Sequence, residues 1–186
     1  MNQADYYVAG VDPGLAKFGY VLMRISISGP GIPIEVDLQT VEVIKTKPAK
    51  RKERRADEDL RARLKQITDF LYVEWETKPN KPRVLAMESL SFVRNASVSA
   101  KIALAHGATQ ALANASSIPI VCYSPQEIKL ACGLKRDASK ADVEAVIRGK
   151  WKSAKWPDHG EREHAFDAAG AVMAFLKDNS WVSFLI

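Results

Sequence analysis

Three β-rich runs crowd into the first 44 residues, and after them the apolar residues recur mainly at helical spacing. That order constrains the fold more than any other feature. Residues 6–11 are short, rich in β-formers and end at Asp12-Pro13-Gly14, a turn signal. Residues 18–27 are again β-rich, and Ser28-Gly29-Pro30-Gly31 reads as the next turn. From 34 to 44 apolar and polar residues partly alternate, as in a half-buried strand. Three strands joined by short turns predict an antiparallel meander.

The pattern then changes. Leu60, Leu64, Ile67, Leu71 and Trp75 predict a long helix over 53–76, ended by Lys78-Pro79-Asn80-Lys81-Pro82. Residues 83–87 read as a short buried strand leading to Glu88, 97–117 as an alanine-rich helix, and 118–123 as another apolar strand. Ser124-Pro125-Gln126-Glu127 is a helix start: serine caps, proline fits the first turn and glutamate closes the capping box. Gly133 ends that short helix. Further helices are expected over 139–151 and 161–177. A meander followed by alternating strands and helices implies an α/β fold, a mixed sheet with helices on its faces.

Size and composition narrow the class. At 186 residues the chain has room for one domain of roughly 100–200 residues, so a single domain over 1–186 is expected. Its 47% hydrophobic and 26% charged residues exclude a disordered or fibrous protein. No apolar run approaches the ~18–20 residues of a membrane span, and Met1-Asn2-Gln3-Ala4-Asp5 lacks the features of a signal peptide. Cys122 and Cys132 alone make neither a disulfide framework nor a thiolate zinc site. A cytoplasmic protein with reduced thiols is the expectation.

The net charge of +5 is concentrated. Residues 45–55 hold seven bases and one acid, a local +6 on a nearly neutral body. Lys50, Arg51, Lys52, Arg54 and Arg55 are the centre of this cluster. It fits a polyanion such as nucleic acid, or a solvated loop that aids solubility.

Two acids follow β-rich segments directly, Asp12 and Glu88, at the places where open sheets expose residues to a ligand crevice. His164 and Asp167 stand three apart on the last helix and share one face, which continues into Ala168, Ala171 and Val172. A carboxylate on so small and apolar a face is costly unless paired or bound to metal. Three carboxylates and a histidine without thiolates suit hard cations such as Mg²⁺ or Mn²⁺. Taken singly, each residue also has a plain reading: Asp12 as a turn former, Glu88 as a capping or surface residue, His164 as a structural histidine, Asp167 as the partner of a buried base.

Read together, these motifs are similar to those of RuvC-type Holliday-junction resolvases. Val8-Ala9-Gly10-Val11-Asp12-Pro13-Gly14 followed by Gly19-Tyr20 resembles their opening, and Met87-Glu88-Ser89 their second acidic motif. His164-Ala165-Phe166-Asp167-Ala168 resembles their last motif, in the version with histidine for the first aspartate. The resemblance implies an RNase H-like fold with a mixed five-stranded sheet. It implies a homodimer that nicks two strands of a four-way DNA junction symmetrically. It further implies Asp12, Glu88, His164 and Asp167 as ligands of two Mg²⁺ ions per site, with Mn²⁺ able to substitute. Lys129 and Lys140 fall where the family carries functional lysines, Lys140 within the catalytic set and both as DNA contacts. Phe92 and Arg94 are further candidate DNA contacts, with Arg94 and Asn95 alternatively capping the next helix. Phe18 stands where the family usually has a small hydroxyl residue, and Ser91 where it has an aromatic, which Phe92 could replace through a shifted turn. The alanine-rich helix is the candidate dimer interface, and the apolar stretch 181–186 either docks on the body or serves a partner. Two alternatives are an RNase H-like nuclease acting on structured RNA and a non-catalytic module that binds branched nucleic acid.

Overall fold

A computed structural model describes residues 4–27, 33–50, 55–90 and 95–178. Arg51, Lys52, Arg54, Phe92, Arg94, the turn at 28–31 and the apolar stretch 181–186 lie outside the described residues. The meander is present as β1 (Ala4–Asp12), β2 (Lys17–Ile27) and β3 (Pro33–Lys45). Then follow α1 (Ala56–Tyr72), β4 (Val84–Glu88), α2 (Ala96–Ala115), β5 (Ile120–Tyr123), α3 (Pro125–Ala131), α4 (Lys140–Lys150) and α5 (Arg162–Lys177). The element order is the expected one.

The sheet order is β3-β2-β1-β4-β5. β1, β2 and β3 are antiparallel neighbours, whereas β4 and β5 run parallel to β1. The hairpin half needs only turns, and the parallel half needs helical crossovers, which α1 and α2 supply.

Local chemistry explains the helix limits. Asn95 caps α2 by accepting from the backbone N–H of Ser97 at 3.0 Å and Val98 at 3.3 Å. Ser124 and Ser139 each form a capping box, with Glu127 and Asp142. Gly133 adopts φ 76°, the left-handed turn that ends α3. The expected helix over 53–76 is shorter at its start within the described residues and changes pitch at its end. Residues Val73–Thr77 form a π-helical turn, which buries both Glu74 and the fully enclosed Trp75.

Side chains alternate across the sheet and build two cores. Val8, Val21, Met23, Val84 and Ala86 pack with α3, α4 and α5. Ala9, Val11, Phe18, Tyr20, Leu22, Leu85 and Met87 pack with α1 and α2. Phe18, fully buried, is therefore a core residue of the second face. No helix among the described residues is long and apolar enough to cross a membrane.

Candidate active site

The parallel pairing of β1 with β4 sets Val11 opposite Met87, so Asp12 and Glu88 emerge side by side at the carboxyl ends of adjacent strands. Strand parity places both acids on the face packed by α5, following Gly10 and Ala86 respectively. Open α/β sheets bind ligands in this place, beyond the ends of parallel strands.

Gly10 and Gly19 let α5 come close enough to complete the cluster. A Cβ on Gly10 would lie 2.2 Å from the Ala168 carbonyl oxygen, and one on Gly19 2.1 Å from that of His164. No side chain fits there, so the helix backbone rests on the strands. Alanines 165, 168, 169 and 171 are fully buried beneath it. Asp167 thereby reaches the two strand acids. One carboxylate oxygen each from Asp12, Glu88 and Asp167 lie within 4.8 Å of one another, all partly buried.

His164 belongs to the same group by another contact. Its Nδ1 lies 2.5 Å from Asp12 Oδ2. Lys140, from the start of α4, donates to Asp167 Oδ2 at 2.8 Å and to Glu163 Oε1 at 2.5 Å. Lys129 is half-buried, donates to the Arg136 carbonyl oxygen at 3.2 Å, and lines a cavity of about 250 Å³ with Glu88, Lys140 and Asp167. All six of these residues thus stand in one neighbourhood. Lys50 and Arg55 are exposed around the start of α1.

Charge crowding shows in the titration of the cluster. Burial, with Asp12 and Asp167 nearby, pushes the Glu88 carboxyl up to about 8. Burial also raises Asp167, aided by Asp12 and Glu163, although Lys140 opposes it. For His164, burial disfavours the charged ring, but the hydrogen bond and charge of Asp12, with Asp167 and Glu163, outweigh it and raise the pKa. Lys140 follows the same logic: burial is outweighed by Asp167 and Glu163, and its ammonium is held charged.

Three carboxylates this close, one of them forced towards protonation, are an oxygen-rich site short of positive charge. The donor set fits a divalent hard cation, which would replace that proton.

Two contributors carried no sequence signal. Glu163 shares Lys140 with Asp167, which depends on where α4 crosses α5. His106, buried in the alanine-rich α2, places Nε2 3.2 Å from the Glu88 carbonyl oxygen. Burial lowers its pKa, although that bond opposes the shift; because a carbonyl oxygen only accepts, Nε2–H is the donor. The isolated histidine at 106 was visible in the sequence, but nothing local linked it to Glu88.

The RuvC family model, described as crossover junction endodeoxyribonuclease RuvC, matches residues 8–172. The chain belongs to the RuvC family. Among its relatives, RuvC of Thermus thermophilus is 28% identical over 154 residues, covering 82% of this chain and 85% of that one. RuvC of Pseudothermotoga lettingae is 32% identical over 143 residues, covering 76% and 77%. A solved T. thermophilus RuvC structure is 26% identical with a TM-score of 0.65, covering 90% of this chain and 92% of the other. Another, of T. thermophilus RuvC in complex with Holliday junction substrate, gives TM-score 0.71 at 23% identity, with 95% and 97% covered. These likenesses bear out the RNase H-like fold expected of the family, with its mixed five-stranded sheet. As a RuvC family member the chain is a junction-resolving endonuclease.

Proposed function

We propose that the chain resolves four-way DNA junctions by Mg²⁺-dependent hydrolysis of two phosphodiesters, one in each protomer of a homodimer. The observation that carries this reading is the convergence of Asp12, Glu88 and Asp167 at the ends of two parallel strands under α5. It agrees with the junction substrate named for the T. thermophilus relative.

Asp12, Glu88 and Asp167 would hold the metal, with His164 completing the set through its contact with Asp12. Divalent ions held by these residues would supply activation of a water and charge stabilisation of the leaving oxygen. His164 orients the Asp12 carboxylate by bonding one of its oxygens. Lys140 offsets the charge of Asp167 and Glu163 and, with Lys129, turns positive charge towards an approaching phosphate. Lys50, Arg51, Lys52, Arg54, Arg55, Phe92 and Arg94 are proposed as DNA contacts away from the metal, the bases acting on backbone phosphates.

α2 supports the dimer. Ala100, Ala103, Leu104, Gly107, Ala111 and Asn114 are all exposed and recur at spacings of three and four, a stripe of mostly small residues opposite its buried face. A two-fold pair of such helices matches the near-symmetry of a four-way junction. Sedimentation should show a dimer, and Leu104→Glu should give monomers that leave single nicks.

The test is cleavage of an immobile four-way junction in Mg²⁺, beside linear duplex, structured RNA and the Asp12→Asn variant. Paired symmetric nicks in the junction alone are expected, with Asp12→Asn binding the junction but cutting more than ~10²-fold more slowly, beyond what outer ligand partners cost. Cleavage by Asp12→Asn at the wild-type rate would overturn the site assignment. Binding without cutting in Mg²⁺ or Mn²⁺ would reduce the chain to a junction-binding module.

A further inference from the structure

A second cavity, of about 430 Å³, opens on the other side of His164, between the β1–β2 turn and the start of α2. We propose that this cleft is a nucleotide subsite, which takes the base next to the scissile phosphate in the strand being cut. The proposal rests on the resolvase reading and adds a substrate contact to it.

The first argument comes from α2. Val98, Ile102, Ala105, Thr109 and Ala113 recur along one helical stripe. Ala105, Thr109 and Ala113 are buried in the core, yet Ile102 is only half-buried and Val98 is 42% exposed. The core stripe therefore runs on past Ala105 into the cleft, partly covered at Ile102 and open at Val98 among the described residues. An apolar wall of this kind beside a reaction centre calls for a flat apolar occupant.

The opposite wall is rigid. Leu15 forms it, on the turn that follows Asp12. Arg63 of α1, buried, donates through Nε to Thr46 Oγ1 at 2.8 Å and through Nη2 to the Leu15 carbonyl oxygen at 3.5 Å. Thr46 in turn donates its hydroxyl to the Leu15 carbonyl oxygen and its N–H to that of Ala16 at 3.1 Å. These bonds hold the turn in place before any ligand arrives, which lowers the cost of binding one.

Charge decides which flat ligand. Lys17 and Lys101 line the cleft, and among the described residues no carboxylate does. Lys17 bonds the Gly160 carbonyl oxygen at 2.5 Å, whereas Lys101 is exposed and has no ion pair or hydrogen bond among the described residues. Apolar walls with a cationic rim suit a nucleobase carried on phosphates. The volume falls within the ~300–1,000 Å³ of small-ligand pockets and is too small for a duplex. His164 lines the cleft and also bonds Asp12, so an occupant sits directly beside the acidic cluster.

Single-turnover cleavage of junctions tests this, with an abasic nucleotide on one or the other side of the scissile phosphate. Wild-type protein should cut one of the two abasic junctions at least ~10-fold more slowly than the intact one, the scale of losing one stacked base. Ile102→Trp fills the cleft, and Val98→Trp does so from an exposed position that folding does not need. Each should cut the intact junction more slowly and show no further loss on the abasic one. Wild type that cuts all three junctions alike, or tryptophan variants that keep the wild-type ratio, would overturn the subsite. The second outcome would mean that the cleft is filled from within the chain. Wild-type protein that cuts no junction at all would overturn the resolvase reading and the subsite with it.

Discussion

On one face of the sheet α5 lies with its backbone against Gly10 and Gly19, and buried alanines stand at that contact. On the other face α1 and α2 are held off by Phe18, Tyr20, Leu22, Ile67, Leu71 and Trp75, all large and buried. The first face carries Asp12, Glu88, His164 and Asp167, and the second carries none of them. Large side chains can repack when one methylene is lost. Contact between a helix backbone and a strand backbone leaves nothing to repack. The close backbone contact on the thin face therefore gives the site its precision, while large side chains on both faces supply the apolar burial.

That contrast can be broken most sharply at Gly19. Gly19→Ala sets a methyl against the His164 carbonyl and must lift α5. We expect a loss of about 1–3 kcal/mol, read as a lower melting temperature. Cleavage should fall by about 10²-fold, because a shift of ~1 Å at the reacting groups costs that much. Full activity in Gly19→Ala would mean that the close approach of α5 does not set the site.

A smaller effect is expected at His106, where α2 reaches across from the thick side to the end of β4. His106→Ala should slow cleavage roughly 10-fold and raise the Mg²⁺ needed for half-maximal rate, as loss of an outer partner of a metal ligand does. His106→Gln, which keeps a donor, should recover most of both. Equal loss in the two variants would make the histidine a packing residue only.

The charge crowding on the thin face has its own signature. The folded-state pKa of Glu88 is raised to about 8, so folding is favoured while this group is protonated. That contribution is present below its unfolded value near 4.3 and is lost as pH rises through about 8. In EDTA, Glu88→Gln should melt about 2–4 °C above wild type at pH 8, and the gap should close towards pH 5. Differential scanning fluorimetry with and without Mg²⁺ reads this, since bound metal should abolish the gap.

The mildest change belongs to the thick face. Ile67→Val should cost about 0.5–1.5 kcal/mol and leave the cleavage rate of the remaining folded protein unaltered. A large activity loss here would erase the division of labour between the faces.

Much of this is legible in the sequence. The meander, the β1 turn at Asp12-Pro13-Gly14, the capping box at Ser124 and the glycine stop at 133 are all local signals, and each stands where the sequence put it. The acids after the first and fourth strands were legible for the same reason. The π-helical turn around Trp75 was not, because a helical stripe of apolar residues is blind to one extra residue per turn. The roles of Gly10 and Gly19 were equally hidden, since nothing local says what will press against a strand.

Period, turn chemistry and capping act over a few residues, so the sequence by itself determined the elements, their order and which residues share a face. It also determined the charge, concentrated at 45–55, and the motifs that mark the family. Only the tertiary structure decided that β4 pairs beside β1, which brings Asp12 and Glu88 together across 76 positions of chain. Only it decided that His164 bonds Asp12, that Lys140 is shared by Glu163 and Asp167, and that His106 holds the end of β4. Such pairings depend on strand register and on how closely a helix can approach a sheet. Both are set by the packing of residues far apart in the chain.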